Sequence, residues 1–136
     1  MEYVVSACLA GCNCRYDGGN TANEHVQQLI REGRALPLCP EQLGGFPTPR
    51  TPFELKNGRA ISKDGVDITE QMLQGVEEAT KLVELAGCTK AILKSRSPSC
   101  GAGIIYDGSF SGVKIAGNGL FAERMLAMGL EVTCTD

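Results

Sequence analysis

Seven cysteines stand beside a single histidine in a chain of 136 residues, and they are the side chains best suited to chemistry. Cys8, Cys12 and Cys14 share a Gly-containing loop, Cys39 precedes a Pro-rich one, and Cys100 lies in Ser97-Pro98-Ser99-Cys100-Gly101. Seven in 136 is about 5%, short of the ~8–10% of disulfide-built secreted scaffolds, and the number is odd. Thiols in a chain without an export signal serve more often as metal ligands, reactive groups or small core residues than as bridges. Soft thiolates with essentially no imidazole favour an iron–sulfur centre or zinc over magnesium or calcium. Three protein ligands would leave one coordination position open to a substrate. The alternative is a set of independently buried cysteines, a common fate for a small apolar side chain.

Which thiols can meet depends on the elements that carry them. Tyr3-Val4-Val5-Ser6-Ala7 reads as a compact strand running into Cys8. Thr21 with Glu24 forms a capping-box pattern for a helix with Val26, Leu29 and Ile30 on its apolar face, and Gly33 stops it. Ala35-Leu36-Pro37-Leu38 is a second strand, running into Cys39, and the four prolines from Pro40 to Pro52 mark a constrained loop. Asn57-Gly58 and Asp64-Gly65 suggest a hairpin excursion between Phe53 and Ile68. A long helix opens at Thr69, with Ile68 and Leu73 spaced as a hydrophobic staple. Met72, Val76, Ala79, Val83 and Ala86 form its inner face, Glu77–Lys81 an outer i,i+4 pair, and Gly87 its end. Ala91-Ile92-Leu93 is a third strand before the Ser95–Gly101 loop. A Gly-rich stretch to Gly117, a helix over Gly119–Met128 and a strand over Leu130–Thr133 complete the pattern.

This alternation predicts an α/β architecture in three layers: a Rossmann-like, mostly parallel sheet flanked by helices, with a small β-hairpin excursion, in one domain over residues 1–136. Chemistry in such sheets collects beyond the carboxyl ends of the strands. Cys8, Cys39 and Cys100 each follow a strand and should meet at that edge. Cys88 precedes its strand and falls at the wrong edge, and Cys134 follows the last strand. The Cys12-Asn13-Cys14 spacing is too tight for a C-x₂-C chelate, though either residue could compete with Cys8. These four are expected to be structural or incidental.

Composition narrows the function. The chain is 43% hydrophobic and 21% charged, with 13 basic and 16 acidic residues and a net charge of −3. That balance argues against disorder and gives no electrostatic footprint for nucleic acid or an anionic membrane. No apolar run approaches the ~18 residues of a spanning helix, and Met1-Glu2-Tyr3 lacks the basic start of a secretory signal. A cytoplasmic location is the expectation.

Longer motifs add a resemblance. Ser6-Ala7-Cys8-Leu9-Ala10-Gly11 followed by Cys14-Arg15-Tyr16-Asp17-Gly18-Gly19 resembles the N-terminal signature of the thiouracil desulfidase (TudS-like) family, also known as domain of unknown function 523. Cys39-Pro40-Glu41 through Gly44-Gly45 to Thr48-Pro49-Arg50-Thr51-Pro52 and Glu54 is similar to the second signature. Leu93-Lys94 leading to Ser97-Pro98-Ser99-Cys100-Gly101 is similar to the third. The likeness runs the length of the chain, departing at Ala10, where the family commonly has a second Leu. It implies a [4Fe–4S] cluster held by Cys8, Cys39 and Cys100, the same trio the strand ends select. It further implies a non-redox conversion of the thiocarbonyl of a small thiolated nucleobase such as 2-thiouracil to a carbonyl, with sulfide released.

Such a reaction needs a group to deprotonate attacking water, and Glu41, two residues past a ligand cysteine, is the candidate base. Ser99 is a candidate to hydrogen-bond the substrate or relay a proton, and Asp17 and Arg15 are candidates to bind the pyrimidine. Each has a plainer alternative: Glu41 satisfying backbone N–H groups of the proline loop, Ser99 capping its turn, Asp17 forming a turn, and Arg15 and Arg50 bracing loops. Gly117-Asn118-Gly119 before a helix could present N–H groups to an anion. His25, in an early helical turn, reads as solvated. Two rival functions are a non-catalytic zinc-binding module and a cysteine persulfide sulfur carrier.

Overall fold

Short apolar strands separated by amphipathic helices have one economical solution, a parallel sheet covered on both faces. The computed structural model describes all of residues 1–136 and adopts that solution. β1 (Tyr3–Ser6) leads through a 3₁₀ turn (Ala7–Ala10) to α1 (Glu24–Arg31) and β2 (Ala35–Leu38). Then come α2 (Pro40–Leu43), the strands β3 (Phe53–Lys56) and β4 (Arg59–Ser62), α3 (Thr69–Ala86) and β5 (Lys90–Lys94). The strands β6 (Ile104–Tyr106) and β7 (Lys114–Ala116), α4 (Leu120–Ala127) and β8 (Glu131–Thr135) complete the chain.

The central sheet has the order β2-β1-β5-β8, and every neighbouring pair is parallel. From β1 the chain moves outward to β2, then α3 carries it back across to β5 and α4 on to β8. The direction reverses at β1, so the switch point lies between β1 and β5. The pleat divides the core. Val5 and Ile92 face α1 with Val26 and Leu29, while Val4 and Leu93 face the layer of Met72, Val76, Val83, Phe121 and Met125 from α3 and α4. Pro37 is tolerated because β2 is an edge strand. β3 and β4 form the expected antiparallel hairpin through Asn57-Gly58, both at positive φ, and β6 with β7 forms a second one.

Local details differ from the sequence expectations. Asn23, not Thr21, caps α1, its side chain accepting from the Val26 N–H at 3.1 Å. Leu73 is exposed, so no staple closes onto Ile68; instead Asp67 accepts from the Thr69 N–H at 2.9 Å. Lys81 pairs with Glu78 at 2.9 Å, and Glu77 turns to Arg124 at 3.1 Å. Cys134 lies inside β8 rather than beyond it. The proline loop opens with a helical turn, α2, with Cys39 as its N-cap and Pro40 at its first position. Proline fits there because that N–H would have no intrahelical partner.

α2 sits on α3 at Gly75, where a Cβ would stand 2.1 Å from the Pro40 carbonyl oxygen. This contact sets the position of Cys39 and Glu41 relative to the sheet. Helix propensity alone would make Gly75→Ala stabilising by up to about 1 kcal/mol. The backbone contact reverses the sign: denaturant unfolding should show a loss of about 1–3 kcal/mol, the cost of overpacking.

Candidate active site and metal centre

Three loops at the carboxyl edge of β1, β2 and β5 enclose a cavity of about 470 Å³. Cys8, Cys14, Cys39, Cys100, Glu41, Ser99, Arg15 and Arg50 all contribute to its wall. Cys8 lies in the 3₁₀ turn that follows β1, and its carbonyl accepts from the N–H groups of Gly11 at 3.2 Å and Thr21 at 3.0 Å. Cys39 lies between β2 and α2 as the N-cap of the latter, its carbonyl accepting from the Leu43 N–H at 3.0 Å.

Cys100 is held by a more elaborate loop. Ser97 Oγ accepts from the backbone N–H groups of Ser99 at 3.2 Å and Cys100 at 3.0 Å. The carbonyls of Pro98 and Ser99 accept from Leu120, Phe121 and Ala122, the first turn of α4, at 2.8–3.1 Å. Gly119 is required at this junction, because a Cβ there would lie 2.5 Å from the Ser99 carbonyl carbon. The same bonds answer the anion-cradle expectation for Gly117-Asn118-Gly119. Gly117 and Gly119 donate to the carbonyls of Gly103 and Gly101, so these amides are already spent on the chain itself. On the other side, Cys134 Sγ accepts from the Ala102 N–H at 3.1 Å and contacts the Cys100 carbonyl at 3.7 Å. It props the Cys100 loop without lining the cavity.

Glu41 and Ser99, distant in sequence, are directly joined: the Ser99 hydroxyl donates to Glu41 Oε2 at 2.8 Å, and Ser99 is 2% exposed. The other carboxylate oxygen accepts from Arg50 Nε at 2.9 Å. Arg50 then donates to the Cys14 carbonyl at 2.8 Å, Thr48 Oγ1 at 3.0 Å and the Pro47 carbonyl at 3.3 Å. Glu41 thus spends its carboxylate on a side-chain pair rather than on backbone N–H groups, and Arg50 is a brace. Asp17 is exposed, does not line the cavity, and accepts from the Gly19 N–H at 2.9 Å, as a turn residue does. Arg15 does line it, its guanidinium 5.9 Å from the centre of the Tyr16 ring.

The residue that sequence reasoning left aside is Cys14. Cys12 is exposed but Cys14 is buried, on the cavity wall with Cys8 and Cys39. Interaction with Cys39 and Cys8 pushes the Cys14 thiol up, and Cys14 in turn lowers the Cys8 and Cys39 thiols below their ordinary range. Burial pushes the Cys100 thiol up. Thr21, displaced from its expected capping role, has a buried hydroxyl without a hydrogen-bond partner, adjoining the Cys8 sulfur. No spacing rule marks either residue, since both lie in an aperiodic loop. Cys88 is buried in the core away from the site, and no set of three His, Cys, Asp or Glu side chains is gathered tightly enough for a single metal ion.

A doubly wound parallel sheet with thiols, a carboxylate and a hydroxyl on one cavity at its switch point defines an α/β protein of the edge-site class. A family model described as 2-thiouracil desulfurase matches residues 3–136. The uncharacterized protein YbbK of Bacillus subtilis (strain 168) is 39% identical over 139 residues, spanning 95% of this chain and 92% of that one. A solved structure of the [4Fe-4S]-dependent thiouracil desulfidase TudS superposes with a TM-score of 0.94 at 40% identity, covering 100% of this chain and 91% of that one. The chain belongs to the 2-thiouracil desulfurase family.

The Arg50 and Glu41 side chains are only 6% and 13% exposed, so breaking their pair strands a charge. Arg50→Met should lower unfolding free energy by about 3–5 kcal/mol in urea titrations. Lys81→Met, at an exposed pair, should change it by less than about 0.5 kcal/mol.

Proposed function

We propose that the protein is a [4Fe–4S]-dependent desulfidase that converts a small thiolated pyrimidine, such as 2-thiouracil, to the oxo base with release of sulfide. The observation that carries this reading is the Glu41–Ser99 hydrogen bond on the wall of a cavity shared by three strand-end thiols. Membership of the desulfurase family supplies the reaction class.

The donor set suits a multi-iron cluster. Soft thiols, those of Cys8, Cys14, Cys39 and Cys100, line the cavity with no imidazole among them, which favours iron–sulfur chemistry over a hard cation. Cys8, Cys39 and Cys100 would hold the cluster, the first two already biased toward the thiolate that binds metal. The unpaired Thr21 hydroxyl beside Cys8 is a donor of the kind that hydrogen-bonds ligand sulfur. When bound, the cluster supplies an open iron, a soft Lewis acid for the thiocarbonyl sulfur.

The chain's own residues handle water and protons. Arg50 fixes one oxygen of Glu41 and leaves the other to Ser99. With its own proton committed to Glu41, Ser99 Oγ can accept from a water or from a ring N–H of the substrate. Glu41 takes the proton of the attacking water, directly or through Ser99, as oxygen replaces sulfur on the carbon. Thiocarbonyl and water give carbonyl and hydrogen sulfide, with no net electron transfer. Arg15, at the wall, faces the substrate space. Seven free thiols suit a reducing compartment, and we place the activity in the cytoplasm.

Anaerobic reconstitution with iron and sulfide should give a brown protein that forms uracil and sulfide from 2-thiouracil, and Cys39→Ser should lose iron and turnover together. One zinc per chain without acid-labile sulfide, or a one-sulfur mass gain on a single cysteine without iron, would sink the reading in favour of a structural module or a sulfur carrier. Glu41→Gln and Ser99→Ala should keep their iron while kcat falls by about 10²–10⁴.

A further inference from the structure

The cavity wall is completed by a hairpin that no sequence motif singled out. β6 and β7 are joined by residues 107–113, and Tyr106, Phe110 and Gly112 of this hairpin line the cavity. Its tip is tied down by one atom: Glu54 Oε1, on β3, accepts from the backbone N–H groups of both Gly108 at 3.0 Å and Phe110 at 3.1 Å. Within the tip, Asp107 accepts from the Ser109 N–H at 2.9 Å. So held, Phe110 adopts φ +57°, a left-handed conformation that is strained for a bulky residue.

The strain is not offset by burial in a core. Phe110 belongs to neither hydrophobic cluster and remains half-buried on the cavity wall. An aromatic ring held out of the core, in an unfavourable backbone conformation, against a ligand-sized space is available to a planar ligand. We propose that Phe110 is the stacking platform for the heterocyclic ring of the substrate, and that Glu54 is the positioning residue that holds it in place. The assignment rests on the desulfidase reading and deepens it: binding favours a flat, conjugated thiolated base over a saturated or acyclic thioamide, because only the former offers a π-face that spans the whole ring.

Base–aromatic stacking lost on alanine substitution corresponds to about tenfold or more in affinity. In the reconstituted protein, Phe110→Ala and Phe110→Leu should each raise KM for 2-thiouracil and Kd for uracil about tenfold, with kcat and iron content within about twofold. Phe110→Tyr should restore both constants. The Leu variant keeps the apolar bulk, so it separates stacking from mere space-filling. Glu54→Leu, which frees both N–H groups, should raise KM similarly, and Glu54→Gln, which still offers an acceptor oxygen, should stay near wild type. For 5,6-dihydro-2-thiouracil, whose ring is saturated, the Phe110 variants should match wild type. The stacking assignment falls if wild type turns over 2-thiouracil while Phe110→Ala leaves KM and Kd within twofold, or lowers kcat alone. A reconstituted wild type with iron but no turnover and no uracil binding would instead overturn the functional reading, and the stacking assignment with it.

Discussion

A guanidinium withdrawn almost entirely from water must be matched donor by donor, and Arg50 is matched by the groups that shape the cavity. Its Nε goes to Glu41, one terminal nitrogen to the Cys14 carbonyl, and the other to Thr48 and Pro47. Those partners lie on α2, on the loop after β1 and in the proline loop. No one of these segments has regular structure enough to hold itself at the sheet edge. The fork geometry of arginine joins them with directional bonds, where a lysine would supply a point charge. Removing its charge would also leave the Glu41 carboxylate with Ser99 as its only side-chain partner.

Backbone complementarity does for the other half of the site what Arg50 does for the first. The Ser97–Gly101 loop satisfies the first turn of α4 with its own carbonyls, so the helix start and the Cys100 loop order one another. Gly75 and Gly119 permit these approaches, one between helices and one between loop and helix, where any side chain would meet backbone. The site is consequently mounted on the sheet and on helix ends through short connections, the arrangement that holds functional groups to sub-ångström tolerance.

How much of this the sequence could reveal follows from the same physics. The periodic parts were legible: the apolar strands, the 18-residue α3 and the glycine that ends it. Parallel order then made the meeting of Cys8, Cys39 and Cys100 at one edge deducible, because connection handedness restricts the topology. Aperiodic parts were not. The choice of Asn23 over Thr21 as cap, the burial of Cys14 beside the exposed Cys12, and the four-residue α2 inside a proline-rich stretch depend on tertiary contacts that no local pattern encodes. The Gly117 and Gly119 amides looked free only because their acceptors, the carbonyls of Gly103 and Gly101, lie well upstream at and just after the Cys100 loop.

Cys14 shows why such a residue matters to the electrostatics. Two thiolates close together in a half-buried cavity repel, and each loses hydration. A third thiol beside them that keeps its proton adds no further negative charge, and Lys94, Arg15 and Arg50 add positive potential from the wall. The Glu41 charge is likewise met inside the wall by Arg50. Lys94 and Arg96 pair with Asp136 at 2.7 and 3.2 Å. These pairs at the polar edge of the cavity engage Arg50, Lys94 and Arg96, while Arg15 and Lys63, also on the wall, form no ion pair. A neutral molecule that enters displaces water from this edge without breaking an ion pair. An anion would meet Arg15 and Lys63 without drawing Lys94 or Arg96 away from Asp136. Two wall cations without an ion pair, Arg15 and Lys63, leave the cavity able to take an anionic ligand as well as a neutral one.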